Sequence, residues 1–127
     1  MSKLPKILVV EDSGFFRRAI SESLKNEGYE VSMVATGEDA LQTVRSSQPD
    51  LILLDMHLPR LDGMMVLRIL RSAPETRGLP VIVLSGNAME RDRAAAEKLG
   101  VSHYIQKDRL PMDELVLSIR ATLGVVA

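Results

Sequence analysis

No cysteine occurs in the 127 residues, which excludes disulfides, thiol catalysis and a cysteine-based zinc site. No stretch approaches the roughly 18 consecutive apolar residues of a membrane-spanning helix, and the opening "MSKLPK" carries no apolar segment of the kind that directs secretion. A cytoplasmic location with no membrane insertion is therefore the expectation. Net charge is nearly absent too. The 16 basic and 17 acidic side chains almost cancel, which argues against direct binding of nucleic acid or adhesion to a membrane through a polybasic surface. Low-complexity tracts, internal repeats and Pro/Gly/Ser linkers are missing, and 46% hydrophobic content at this length suits one compact domain over 1–127.

What is there is an alternation. "KILVV" (6–10) is a short β-branched run, followed by a helical pattern with Phe16, Ile20 and Leu24 on one face and Gly28 as its stop. "YEVSMV" (29–34) alternates like a half-buried strand, and "TGEDALQTVRSS" opens a helix with Thr36 as N-cap and Ala40, Leu41 and Val44 as its apolar face. The pattern continues with "LILLD" as strand, "GMMVLRILR" as helix, "LPVIVLS" as strand, "AMERDRAAAEKLG" as helix, "SHYIQ" as strand and "PMDELVLSIRATL" as helix. Runs such as "LILL" and "VIVL" have no polar face, which suits a parallel sheet covered on both sides. The expected fold is α/β, a flavodoxin-like doubly wound (βα)5 unit with a five-stranded parallel sheet in the order 2-1-3-4-5. A closed eight-fold barrel needs roughly 250 residues and does not fit.

In an open sheet of this order, function gathers at the carboxyl ends of the strands. Glu11 and Asp12 follow the first strand, Asp55 closes the third, Ser85 closes the fourth and Lys107 follows the fifth. Asp55 poses the sharpest question, because a chain that buries "LILL" avoids a charge beside it unless that charge reaches water or does chemistry. Three carboxylates in one cleft repel one another unless a cation or a lysine compensates them. An all-oxygen set without Cys or His favours Mg²⁺, with Mn²⁺ as a substitute. Aspartate also forms acyl phosphates, and Mg²⁺, Lys107 and the Ser85 hydroxyl are the groups that would stabilise the transferring phosphoryl oxygens.

The "ED" after the first strand, "DMHLPRLDG" after the third, "LPVIVLSG" around the hydroxyl and "YIQK" before the last helix together resemble the response-regulator receiver domain of two-component signalling, from about Lys6 to Leu123. The resemblance implies that Asp55 accepts a phosphoryl group from a histidine kinase or a phosphotransfer protein. It implies metal binding by Asp12, Asp55 and the backbone carbonyl of His57, with Glu11 acting through water. Lys107 would contact the phosphoryl group. Ser85 and Tyr104 would form a switch pair, with Tyr104 turning inward as Ser85 moves. The face made by the fourth helix, fifth strand and fifth helix would then signal to a partner protein. No output domain follows Leu123 in this sequence, so a partner or a phosphorelay is the expected route. The chain would catalyse only its own phosphorylation and dephosphorylation, and would not be an enzyme otherwise.

Each residue also has a plainer reading. Asp55 seen alone is a cap or turn residue, Asp12 an N-cap of the "GFFRRAI" helix, and Lys107 a solvated lysine. His57 has no neighbouring His or Cys and is weak as a side-chain ligand. Asp62 reads as the N-cap of the third helix with Gly63 in its first turn, and Pro59 as loop shaping. Val66, Leu67 and Leu70 share a core face, with Met64 or Met65 filling gaps. The "AAA" of the fourth helix would leave a shallow surface for a partner. Three departures from the family stand out: Glu11 where aspartate is commoner, Gly86 where alanine is frequent, and Asp108 where a proline usually follows the lysine. A cis bond to a non-proline residue costs about 2.5 to 4 kcal/mol, so Lys107-Asp108 is expected to be trans. That departure keeps a phosphorylation-independent pseudo-receiver in play. An aspartate-nucleophile phosphohydrolase would need a second aspartate where His57 stands, and a flavin-binding flavodoxin would not place two carboxylates in its phosphate loop.

Overall fold

The computed structural model describes residues 4–86, 90–107 and 112–124. Ten elements alternate: β1 (Lys6–Val10), α1 (Gly14–Asn26), β2 (Glu30–Val34), α2 (Gly37–Ser47), β3 (Leu51–Asp55), α3 (Gly63–Ser72), β4 (Val81–Ser85), α4 (Glu90–Lys98), β5 (His103–Gln106) and α5 (Met112–Leu123). The five strands form one sheet in the order β2-β1-β3-β4-β5, every neighbouring pair parallel. The expected fold class and strand order are both met.

The central strands read as unbroken apolar runs because both of their faces are covered. Ile7, Val9, Leu51, Leu53, Ile82 and Leu84 point to one side, where Ile20 and Leu24 of α1 and Leu115 and Ile119 of α5 close over them. Leu8, Val10, Ile52, Leu54, Val81 and Val83 point to the other, under Ala40 and Val44 of α2, Val66, Leu67 and Leu70 of α3, and Ala96 of α4. β2 lies at the sheet edge, and its alternating sequence matches its half-exposed position. Fully burying a Leu or Ile contributes about 1.5 to 3 kcal/mol, so these two layers dominate the stability.

Side-chain oxygens start three helices as capping chemistry requires. Thr36 accepts from the Asp39 N–H at 3.1 Å and Asp62 from the Met65 N–H at 2.9 Å, both as read from the sequence. At α1 the cap is Ser13, which accepts from the Phe16 N–H, and not Asp12. Two adjacent cap-forming residues precede this helix, and only the one three residues before Phe16 reaches the orphan N–H. Asp12 does not cap, and its carboxylate belongs to the acidic cluster with Glu11 and Asp55. Gly28, at φ 95°, turns the chain after α1 as expected.

The alanine run of α4 is also corrected. Successive residues on a helix are about 100° apart, and Ala96 is wholly buried in the core, while only Ala94 is exposed. It is Met64, not Met65, that packs on the core of α3; Met65 is 47% exposed. The Lys107–Asp108 peptide and Pro111 lie outside the described residues.

Candidate functional site

β1 and β3 are hydrogen-bonded neighbours ending at the same edge, so the fold brings Glu11 and Asp12 beside Asp55. Carboxylate oxygens of the three lie within 4.8 Å of one another. Asp55 closes β3 in register with Leu84 and does not emerge into water; it is fully buried. Its Oδ1 accepts the His57 backbone N–H at 3.0 Å, and its Oδ2 accepts from the Lys107 ammonium at 3.3 Å. Glu11, also buried, takes the Ser13 N–H on Oε2 at 2.9 Å and holds the same ammonium on Oε1 at 2.5 Å. Asp12 is exposed and forms the solvent side of the cluster.

The electrostatics follow from this crowding. Burial above all, with the charge of Asp55 adding to it, pushes the Glu11 carboxyl up to about 7 against the pull of Lys107 and the Ser13 N–H. Burial works against the Lys107 charge, but the carboxylates of Glu11 and Asp55 outweigh it and hold its pKa above the ordinary lysine value. Lys107 pairs with two of the three carboxylates, Glu11 and Asp55, and all three are hard oxygen donors, so the set fits a divalent cation such as Mg²⁺ or Mn²⁺.

Ser85 ends β4, buried, one strand away from Asp55. It lines a cavity of about 220 Å³ together with His57, Asp62, Asp92 and Tyr104. Tyr104 sits in β5 with its hydroxyl buried and without a hydrogen-bond partner among the described residues. The Arg93 guanidinium of α4 lies 5.6 Å from the centre of its ring. All the strand-end residues named from the sequence are thus assembled at one edge.

The parts that three further residues play at the site escaped the sequence reading. Arg17 donates to the carbonyls of Glu11 at 2.8 Å and Asp12 at 3.4 Å, pinning the acidic turn from α1. Phe16, read only as a core residue, places its ring under the Lys107 ammonium, 4.8 Å from the ring centre. Gly63 packs so closely on the end of β3 that a β-carbon there would overlap the Asp55 carbonyl oxygen. Only Gly63 had a sequence signal, as a glycine directly after a helix cap.

An open (βα)5 sheet carries an acidic pair, an aspartate and a lysine at its carboxyl edge, the arrangement that the receiver resemblance implies. The chain belongs to the response regulator receiver domain family, whose model matches residues 7–120. Among curated proteins it is 36% identical over 118 residues to response regulator MprA of Mycolicibacterium vanbaalenii, covering 93% of this chain and 50% of that protein. The chain thus spans about half the length of the curated relatives it matches. Among solved structures it is similar to the phosphorylated cyanobacterial phytochrome response regulator RcpA, with 34% identity, a TM-score of 0.86 and 98% of each chain covered. The Mn²⁺-bound form of response regulator Rcp1 is 32% identical, with a TM-score of 0.82 and 97% of each chain covered. No helix among the described residues is long and apolar enough to cross a membrane.

Proposed function

We propose that this receiver domain, taken as 1–127, is a phosphorylation-dependent switch whose phospho-acceptor is Asp55. The observation that carries the reading is the placement of Asp55: buried at the end of β3, with Lys107 on one oxygen and two further carboxylates beside it. A histidine kinase or phosphotransfer protein would be the donor, and the active location the cytoplasm. An Asp55 carboxylate oxygen forms the new bond to phosphorus, the bond from phosphorus to the donor nitrogen breaks, and the donor leaves as its imidazole. Asp12 and Asp55, with the His57 carbonyl and Glu11 through water, would hold the metal. Bound there, Mg²⁺ supplies positive charge to the phosphoryl oxygens. Lys107, flexible on its four-carbon stem, turns from the carboxylates to a phosphoryl oxygen.

Ser85 would approach the phosphoryl group and Tyr104 would respond. Its hydroxyl is already buried in this structure, so the switch is best read as a population shift that stabilises an inward ring. The output face of α4, β5 and α5 would then bind a downstream protein.

The test is to incubate the protein with Mg²⁺ and a small acyl phosphate and measure intact mass. A phosphoryl adduct that is acid-stable, labile to hydroxylamine and absent from Asp55→Asn is the expected result. An adduct persisting in Asp55→Asn would overturn the assignment. The pseudo-receiver reading would gain if Lys107 turned away from Asp55, but its ammonium contacts that carboxylate. The phosphohydrolase reading gains nothing, since His57 offers Asp55 a backbone N–H and no second carboxyl.

A further inference from the structure

Lys107 has three attractive neighbours, and only two are carboxylates. Its ammonium is 2.5 Å from Glu11, 3.3 Å from Asp55 and 4.8 Å from the centre of the Phe16 ring. The third comes from α1, on the opposite flank of the site from the chain that carries the lysine. Phe16 is only partly buried and packs at the margin of the core layer under α1 and α5. It makes an edge-to-face contact with Phe15, with centroids 5.5 Å apart and planes at 79°. Phe15 itself is 71% exposed.

We infer that Phe16 is a positioning residue for Lys107, its ring face holding the ammonium at the phospho-acceptor edge. The inference rests on the proposed role of Lys107 in phosphoryl transfer. A lysine stem has four rotatable bonds, so contacts of the ammonium are what hold it in one place. Two carboxylates attract it strongly but without direction, and both are also the groups a divalent cation would engage. The negative face of an aromatic ring attracts the ammonium from a fixed direction and does not compete for the metal. When the carboxylates are occupied, the ring is the partner that remains. An aliphatic side chain of similar size would fill the same volume and lack this attraction.

The discriminating experiment keeps the shape of Phe16 and changes its electron density. Phe16 is exchanged for mono-, tri- and pentafluorophenylalanine, and phosphorylation by acetyl phosphate in Mg²⁺ is timed alongside urea unfolding. The expected result is a rate that falls stepwise with fluorination, to about fivefold slower at the end of the series, with unfolding little changed. Phe16→Leu should be slowed to a similar extent. A flat series, with wild type phosphorylated normally, overturns the inference and leaves the phospho-acceptor reading intact. A second arm needs no phosphorylation. The Lys107 ε-methylene resonance, assigned by its loss in Lys107→Arg, should lie upfield of the other lysines and return to their position in Phe16→Leu. Absence of that ring-current displacement in wild type overturns the inference even if the chain takes up no phosphoryl group.

Discussion

The first residue of α3, Gly63, lies against the peptide at the end of β3 that carries Asp55. Its N–H donates to the Met56 carbonyl at 3.2 Å, and a β-carbon on it would overlap the Asp55 carbonyl oxygen and stand 2.7 Å from the Met56 Cα. Both obstacles are backbone, which cannot rotate aside as a side chain can. Alanine is normally better than glycine in a helix by up to about 1 kcal/mol. Here overpacking wins. Gly63→Ala should destabilise the fold by about 2 kcal/mol and weaken Mg²⁺ binding, because the strand end must move. Urea unfolding and a Mg²⁺ titration check this, and wild-type values in both would refute the close approach.

Arg71 should matter for stability without touching the site. From α3 it donates to the Leu99 carbonyl at 2.6 Å, the Leu79 carbonyl at 2.8 Å and the Gly100 carbonyl at 3.3 Å. These are the orphan carbonyls after α4 and before β4, and one planar guanidinium satisfies all three. Arg71→Ala should cost about 2 kcal/mol, and Arg71→Lys most of that, since an ammonium does not span the set. Phosphorylation by a small donor should proceed at an unchanged rate. A rate change larger than the loss of folded protein explains would contradict this division.

The contrast between these residues explains what could be read in the sequence. β3 was legible to the residue because "LILL" is continuous and Asp55 ends it, and the core face of α3 because Val66, Leu67 and Leu70 recur at helical spacing. The strand-end cluster followed from the sheet order alone. Asp12 was read as the cap of α1 and Ser13 takes that place, an error of one position, because either side chain can cap and sequence does not carry the backbone angle that decides. The roles of Arg71, Arg17 and Phe16 depend on where long or flat side chains reach across separate elements. Periodicity carries no information about that. The Ala94–Ala96 run misled for the opposite reason, since adjacency in sequence is not adjacency on a helix.

Tyr104 makes a prediction of small effect. Its hydroxyl is buried and finds no hydrogen-bond partner among the described residues, so it contributes desolvation without compensation. Tyr104→Phe should lie within about 1 kcal/mol of wild type, or above it. The Arg93 contact to the ring is kept in this variant. A loss well beyond that range in urea unfolding would mean that the hydroxyl has a partner.

Divalent metal should stabilise the fold through the acidic cluster. Three carboxylates lie together and Lys107 pairs with only two of them, Glu11 and Asp55; an ion at ten times its Kd adds about 1.4 kcal/mol by mass action. The melting temperature should therefore rise with added Mg²⁺ and fall back with EDTA. Asp12→Ala should abolish most of the rise, and an undiminished rise in that variant would remove Asp12 from the ligand set.

The last prediction concerns the metal-free protein, where Glu11 should make stability depend on pH. In the unfolded chain this carboxyl titrates near its ordinary 4.5, while burial in the folded chain pushes it up to about 7. Between those values the folded state binds a proton that the unfolded state has released, so stability falls as pH rises. The contribution is fully present below about 4.5 and lost as pH climbs through about 7. Its size should be on the order of 3 kcal/mol, at about 1.4 kcal/mol for each pKa unit between the two states, the pull of Lys107 being already contained in the folded-state value. Glu11→Gln keeps the shape and cannot titrate. Unfolding by urea in EDTA, from about pH 5 to about pH 8, should show wild type losing stability relative to Glu11→Gln. Added Mg²⁺ should narrow the gap at the alkaline end, where it neutralises the cluster. Parallel profiles for the two proteins in EDTA would show that Glu11 does not titrate in this window.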